Sequence, residues 1–261
     1  MGTIWRLFVS ISWSAIALSA SPSVIFAQTL SAQAHIARAD EEYAERHAST
    51  ALEQFRQALL VEPKNYEALW KASRVEVDLA ESLGRGAELD TLLLDARQHA
   101  ESAIAVNGTD AEGHFSLARA LGRKALSVGT MERIRFAKVI RGEALEALML
   151  DSSHAGALHV LGVWNAEIMR VNGLARAFAK TFLGAGIFSL ASWDEAQRLL
   201  ERSVAVDPDR IVHHLDLGVI YADRGDKVRA KEQFNWIVEA PAREFNDVRY
   251  KKQASERLRK L

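Results

Sequence analysis

The chain has 261 residues, 33 Lys and Arg against 34 Asp and Glu for a net charge of -1, and no cysteine. That balance leaves no basic footprint for nucleic acid or an anionic membrane. The missing cysteine excludes disulfides, thiolate metal sites, a cysteine nucleophile and a lipid-anchored N-terminal cysteine, and four prolines are too few for a loop-rich all-β protein.

The N-terminus has the order of a secretory signal. Arg6 precedes an apolar stretch from Leu7 to Leu18, then a Ser- and Pro-containing region and Ile25-Phe26-Ala27-Gln28. This predicts a signal peptide over residues 1–27, cleaved after Ala27, and an exported protein of the bacterial periplasm or cell envelope. The rival reading is an uncleaved anchor, because Leu7 to Ala27 is 21 uncharged residues, enough to span a bilayer. Six of those residues are Ser and one is Pro, which suits a cleaved signal better.

From Ala32 to Leu261 apolar residues recur at spacings of three and four, the pattern of amphipathic helices. One segment repeats: a small residue, a large one four later, a small one three later, and a helix stop after five more. It reads Ala51, Phe55, Ala58, Pro63, then Ala96, Ala100, Ala103, Gly108, then Ile140, Ala144, Ala147, Ser152. It continues as Ala196, Leu200, Ser203, Pro208 and ends as Ala230, Phe234, Ile237, Pro241. The first four stops each precede a second helix with a large residue or His at Leu69, His114, Leu158 or His214. Three and four residues further on lie Ala72-Ser73, Leu117-Ala118, Leu161-Gly162 and Leu217-Gly218, where a small side chain lets a partner helix come close.

His214, Leu217, Gly218, Tyr221, the Gly225-Asp226 turn, Ala230 and Phe234 together resemble the tetratricopeptide (TPR) repeat, with His214 at the family's Trp-type position. The resemblance implies an all-α solenoid over residues 32–261, a right-handed superhelix of antiparallel helix pairs ending in a capping helix. Repeat ends at 63, 108, 152, 208 and 241 are 45, 44, 56 and 33 residues apart, against 34 for a standard repeat. The first two gaps predict helices lengthened by about a turn and a half each. The third contains Leu174 to Ala191, an apolar insert read as an amphipathic helix that either packs on the repeats or docks on a membrane or partner. His159, Leu161, Gly162, Trp164, this insert, Trp193, Ala196 and Tyr221 to Asp226 further resemble the regulator of microtubule dynamics family. That resemblance implies a TPR-type interaction protein with no enzymatic role. The cytoskeletal partner is not carried over, because an export signal removes the chain from a cytoskeleton.

No motif of a catalytic or phosphate-binding site occurs, and no cofactor or metal is expected. Adjacent His213 and His214 face different sides of a helix, and His154 and His159 are five apart rather than four. The expected site is the concave face, where the first helix of each pair lines a groove. Trp70, Phe115 and His159 fall at equivalent places, and Arg74, Arg119 and Arg123 lie beside them. Such arginines could grip carboxylates of an extended peptide while the rings hold its apolar side chains. Alternatively they pair with Asp78, Glu76 or Glu112 and serve structure alone. The expected function is a non-catalytic protein or peptide scaffold, without nucleic acid and with membrane contact less favoured. The alternatives are a membrane-anchored structural protein or a small-ligand or peptide carrier. The basic C-terminal helix from Asn246 reads as a cap.

Overall fold

The computed structural model describes residues 30–171 and 186–261. The expected export segment 1–27, and residues 174–185 of the apolar insert, lie outside the described residues. Among those described there are eleven α-helices and no strand. Five antiparallel pairs follow one another: α1 (Ala32–Ala44) with α2 (Ala48–Val61), α3 (Tyr66–Ser82) with α4 (Ala87–Val106), α5 (Ala111–Ala125) with α6 (Thr130–Leu150), α7 (Ala155–Arg170) with α8 (Trp193–Val206), and α9 (Ile211–Asp223) with α10 (Lys227–Glu239). The last helix, α11 (Asp247–Leu258), packs on α10 and α9.

The stop-and-start chemistry is local. The second helix of each pair ends two residues before Pro63, Gly108, Ser152, Pro208 or Pro241. After the first three stops comes an N-cap whose side chain takes one of the free backbone N–H groups of the following helix. Asn65 accepts from the Ala68 amide at 3.0 Å, Asp110 from Glu112 at 3.0 Å, and the His154 ring Nδ1 from Ala157 at 3.1 Å.

The small-large-small register is the core. Ala51, Phe55, Ala58, Ala96, Ala100, Ala103, Ala144, Ala147, Ala196, Leu200, Ser203, Ala230, Phe234 and Ile237 are all fully buried, and Ile140 nearly so. Leu161, Leu217 and Tyr221 join them from the first helices. Close approach is visible at two glycines. A Cβ at Gly162 would stand 2.6 Å from Leu200 Cγ, and one at Gly218 would stand 2.6 Å from Phe234 Cε1. Each of these two glycines is therefore a hole for the large residue of its own partner helix.

The extra residues of the central repeats go into the helices. α4 and α6 run for 20 and 21 residues, whereas α2 and α8 have 14 and α10 has 13. In the described part of the insert, Gly186–Leu190 forms a short 3-10 helix, and Ala191 packs with the cluster around Trp164.

In a simple solenoid each repeat touches only its neighbours, but here the segment entering α11 reaches back to the first two helix pairs. Phe245 packs on the cluster holding Leu52 and Phe55, and the Asn246 side chain donates to the Asp78 carbonyl at 3.0 Å. Arg249 and the Tyr250 hydroxyl both donate to Glu81, and Arg46 donates to the Ala242 carbonyl at 3.2 Å. The cap thus closes the concave face as well as the end of the core. Within it Val248 points to solvent, and Tyr250 with Ala254 supplies the buried contact.

Candidate functional site

The concave face forms a partly open cavity of about 710 Å³, lined from α1 through to α11. This lies in the range of ligand pockets. Its two sides differ in chemistry. One is apolar, with Ile134, Ala137 and Ile140 on α6 facing Val160, Val163 and Trp164 on α7. The Trp164 indole N–H is satisfied by the Ala137 carbonyl at 2.8 Å, so the ring presents carbon to the cavity.

The other side is a charged network. Asp78, 6% exposed, accepts from Arg119 at 2.5 Å and from the Tyr43 hydroxyl at 2.6 Å. Burial by itself raises a carboxyl, but the Arg119 guanidinium and the Tyr43 hydrogen bond outweigh it and hold Asp78 below the ordinary carboxylate range. Arg119 also reaches Glu81 at 3.3 Å and the Arg74 carbonyl at 3.3 Å. Tyr43 is pushed up, first by burial and then by the adjacent Asp78 charge. Next to this network Arg210 pairs with Glu244 at 3.1 Å.

Two cavity guanidiniums stand apart. Half-buried Arg123 donates, among the described residues, to the Ala80 carbonyl alone, at 3.0 Å, and exposed Arg133 to the Ala125 carbonyl alone, at 3.0 Å. Among the described residues no carboxylate lies within ion-pair distance of either one, and both line the cavity beside its apolar side.

The residues expected from the sequence are placed as follows. Phe115, Arg119, Arg123 and His159 line the cavity; Trp70 and Arg74 do not. Arg74 lies 4.3 Å from the Tyr43 ring centre and 5.3 Å from that of Trp70, a stacked arrangement between α1 and α3. Arg119 does not lie free beside Phe115: it is spent on Asp78 and Glu81, and the Phe115 ring sits 4.6 Å from that of His154. Arg133 belongs to the lengthened part of α6, and the equivalent place on the lengthened α4 is Leu89, so no repeat-based signal could have found it. The histidines hold structure. His214 stacks on Trp236 at 3.7 Å and bonds Gln233, filling the Trp-type pocket. His159 bonds Asp216 at 2.8 Å and lies 5.0 Å from the His213 ring. His213 is pushed far down by burial, then by His159 and Arg210, and stays neutral. A separate grouping on the α1–α2 turn, Glu42, Glu45 and His47, brings three ligand-capable atoms within 4.8 Å of one another on the exposed surface.

Residues 32–261 match the family described as Regulator of microtubule dynamics protein 1-3. The chain belongs to this family. Regulator of microtubule dynamics protein 1 of Bos taurus is 24% identical over 200 residues, covering 76% of this chain and 62% of its own length. The same-named protein of Mus musculus is 25% identical over 202 residues, with 76% and 65% covered. The chain therefore spans less than two thirds of the length of these relatives. Among solved structures, a thermophilic TPR protein of Thermus thermophilus is similar at a TM-score of 0.63 and 18% identity, over 86% of this chain and 99% of that one. The fold of the family member described here is thus a TPR-like helical solenoid. Among its described residues no helix is long and apolar enough to cross a membrane.

Proposed function

We propose that this family member is an exported, non-catalytic interaction protein that receives a short partner segment in the cavity of its closed solenoid. TPR-like folds serve as protein–protein interaction scaffolds, and here the recognising surface is the partly open cavity, with Arg123 half-buried and Arg133 exposed. One observation carries the reading: Arg123 and Arg133, without carboxylate partners among the described residues, stand beside the apolar surface of α6 and α7. A guanidinium with donors to spare in such a setting favours a carboxylate, and the apolar side favours aliphatic or aromatic groups next to it. The occupant is then a stretch of a partner protein carrying an acidic side chain among apolar ones. Export rests on the charged, apolar, small-residue order of residues 1–27, and puts the partner in the periplasm or cell envelope.

The test is capture of the partner from the native host by the protein with and without Arg123→Gln and Arg133→Gln. Binding is expected to fall at least tenfold on about 1–3 kcal/mol for each charged hydrogen bond lost, with thermal stability unchanged. Equal capture by the variant rejects the cavity as the site. The enclosure also favours a second reading, a carrier of a small acidic molecule with an apolar body. Native mass spectrometry of the protein purified from its host separates the two: a constant low-mass adduct supports the carrier, and a peptide or protein complex supports the scaffold. N-terminal sequencing that begins at Gln28 supports export with cleavage; an intact Met1 supports the anchored alternative.

A further inference from the structure

The contact between α3 and the segment leading into α11 joins residues about 168 apart in sequence. It is built differently from the contacts between successive helices. Those helices pack side by side along their length, whereas the hydrogen bonds across this seam are each donated by a side chain, two of them to backbone carbonyls. Among the described residues four hydrogen bonds and one apolar contact cross it: Asn246 to the Asp78 carbonyl, Arg249 and Tyr250 to Glu81, Arg46 to the Ala242 carbonyl, and Phe245 on the first helix pairs. Both sides of the seam line the cavity.

The charges are divided so that the seam can part without stranding a buried carboxylate. Asp78 is held from its own side by Arg119 and Tyr43. Glu81 retains Arg119 when Arg249 and Tyr250 leave. On the other side, Glu244 retains Arg210, and Arg249, already partly exposed, turns to water. Opening uncovers the Phe245 and Tyr250 rings and the part of the cluster holding Leu52 and Phe55 that Phe245 covers; the small-large-small contacts inside each helix pair do not cross the seam.

We propose that this seam is a reversible clasp. The clasped superhelix is the resting form and narrows the concave face to a partly open cavity; the unclasped form presents that face as a wider groove, with room for a partner that the cavity alone could not hold. The interactions at Glu81 set the balance between the two forms.

The absence of cysteine makes the test direct, since two introduced thiols are the only ones in the chain. Spin labels are attached at Ser82→Cys on α3 and Val248→Cys on α11, both exposed positions, and the distance between them is read by pulsed electron paramagnetic resonance on the full chain. The clasp predicts one short, narrow distribution. Adding Glu81→Gln and Tyr250→Phe is expected to bring in a second, longer population of at least a quarter of the molecules, and high salt to enlarge it further. A second pair of labels within the first repeats, at Thr50→Cys and Arg85→Cys, is expected to keep its distance throughout, which shows that the repeats stay folded. A distribution that the substitutions and salt leave unchanged overturns the clasp and makes the seam a fixed wall. A broad distribution in the unsubstituted protein overturns it equally, because the closed form is then not the resting state. The readout involves no ligand, so it stands or falls independently of what the cavity binds.

Discussion

Arg119→Leu is the substitution that separates structure from recognition at this site. The side chain makes three hydrogen bonds: to Asp78 at 2.5 Å, Glu81 at 3.3 Å and the Arg74 carbonyl at 3.3 Å. Asp78 is 6% exposed and after the change keeps only the Tyr43 hydroxyl as a side-chain donor. Removing one member of such a buried pair costs about 3–5 kcal/mol, because the remaining charge stays desolvated. Urea denaturation at neutral pH, followed by far-UV circular dichroism, measures the loss. Converting the orphaned charge as well, in Arg119→Leu with Asp78→Asn, is expected to recover about half or more of it, since a neutral amide needs no counter-charge. A loss below about 1 kcal/mol for Arg119→Leu, or no recovery in the double variant, refutes the view that this arginine is committed to Asp78. The same reasoning means that a binding defect at Arg119 reports stability before recognition.

Three further outcomes follow from the same geometry. Gly218→Ala sets a Cβ 2.6 Å from Phe234 Cε1 and is expected to lower stability by about 1–3 kcal/mol through overpacking, measurable by thermal denaturation; an unchanged midpoint contradicts the close approach of α9 and α10. His213 is held neutral in the fold, with its pKa below that of the unfolded chain, so its contribution is present above about pH 6.5 and is lost as pH falls and the unfolded state takes up a proton. Between about pH 7 and 5 that amounts to about 2 kcal/mol, and His213→Gln is expected to flatten this part of the stability profile. Asp78 works at lower pH with the opposite origin: its depressed pKa stabilises the fold above the unfolded value near about 3.9, and that stabilisation is lost as pH falls through the folded value.

What the sequence made legible was local. Ala51, Phe55, Ala58 and their counterparts mark the core because burial on a helix repeats every three or four residues, and Pro63, Pro208 and Pro241 mark stops because proline cannot continue a helix. Gly162 and Gly218 were readable because each sits four residues after the large residue or His that marks its helix, Leu158 or His214, although the residues they receive lie at different distances along the chain. The lengthened helices were visible as extra residues between stops. The site was legible only in part. Phe115, Arg119, Arg123 and His159 do come together, since equivalent positions of stacked repeats share a face. Whether Arg119 faces a ligand or Asp78 is a matter of which neighbour reaches it first, and an offset of 41 residues between two helix faces leaves no mark in periodicity. Closure was illegible altogether. Asn246, Arg249 and Tyr250 read as part of a polar cap, and nothing in their spacing points to Asp78 and Glu81 on the second helix pair.

The central claim is that the partner enters the interior of the solenoid. A photo-crosslinking amino acid placed at Val163, on the cavity wall, and separately at Leu60, 75% exposed on the outer surface, tests it most directly in the native host. The account predicts a discrete crosslinked product from Val163 that disappears with Arg123→Gln and Arg133→Gln, and none from Leu60. A product from Leu60 with silence at Val163 would contradict it and move recognition to the outside of the molecule.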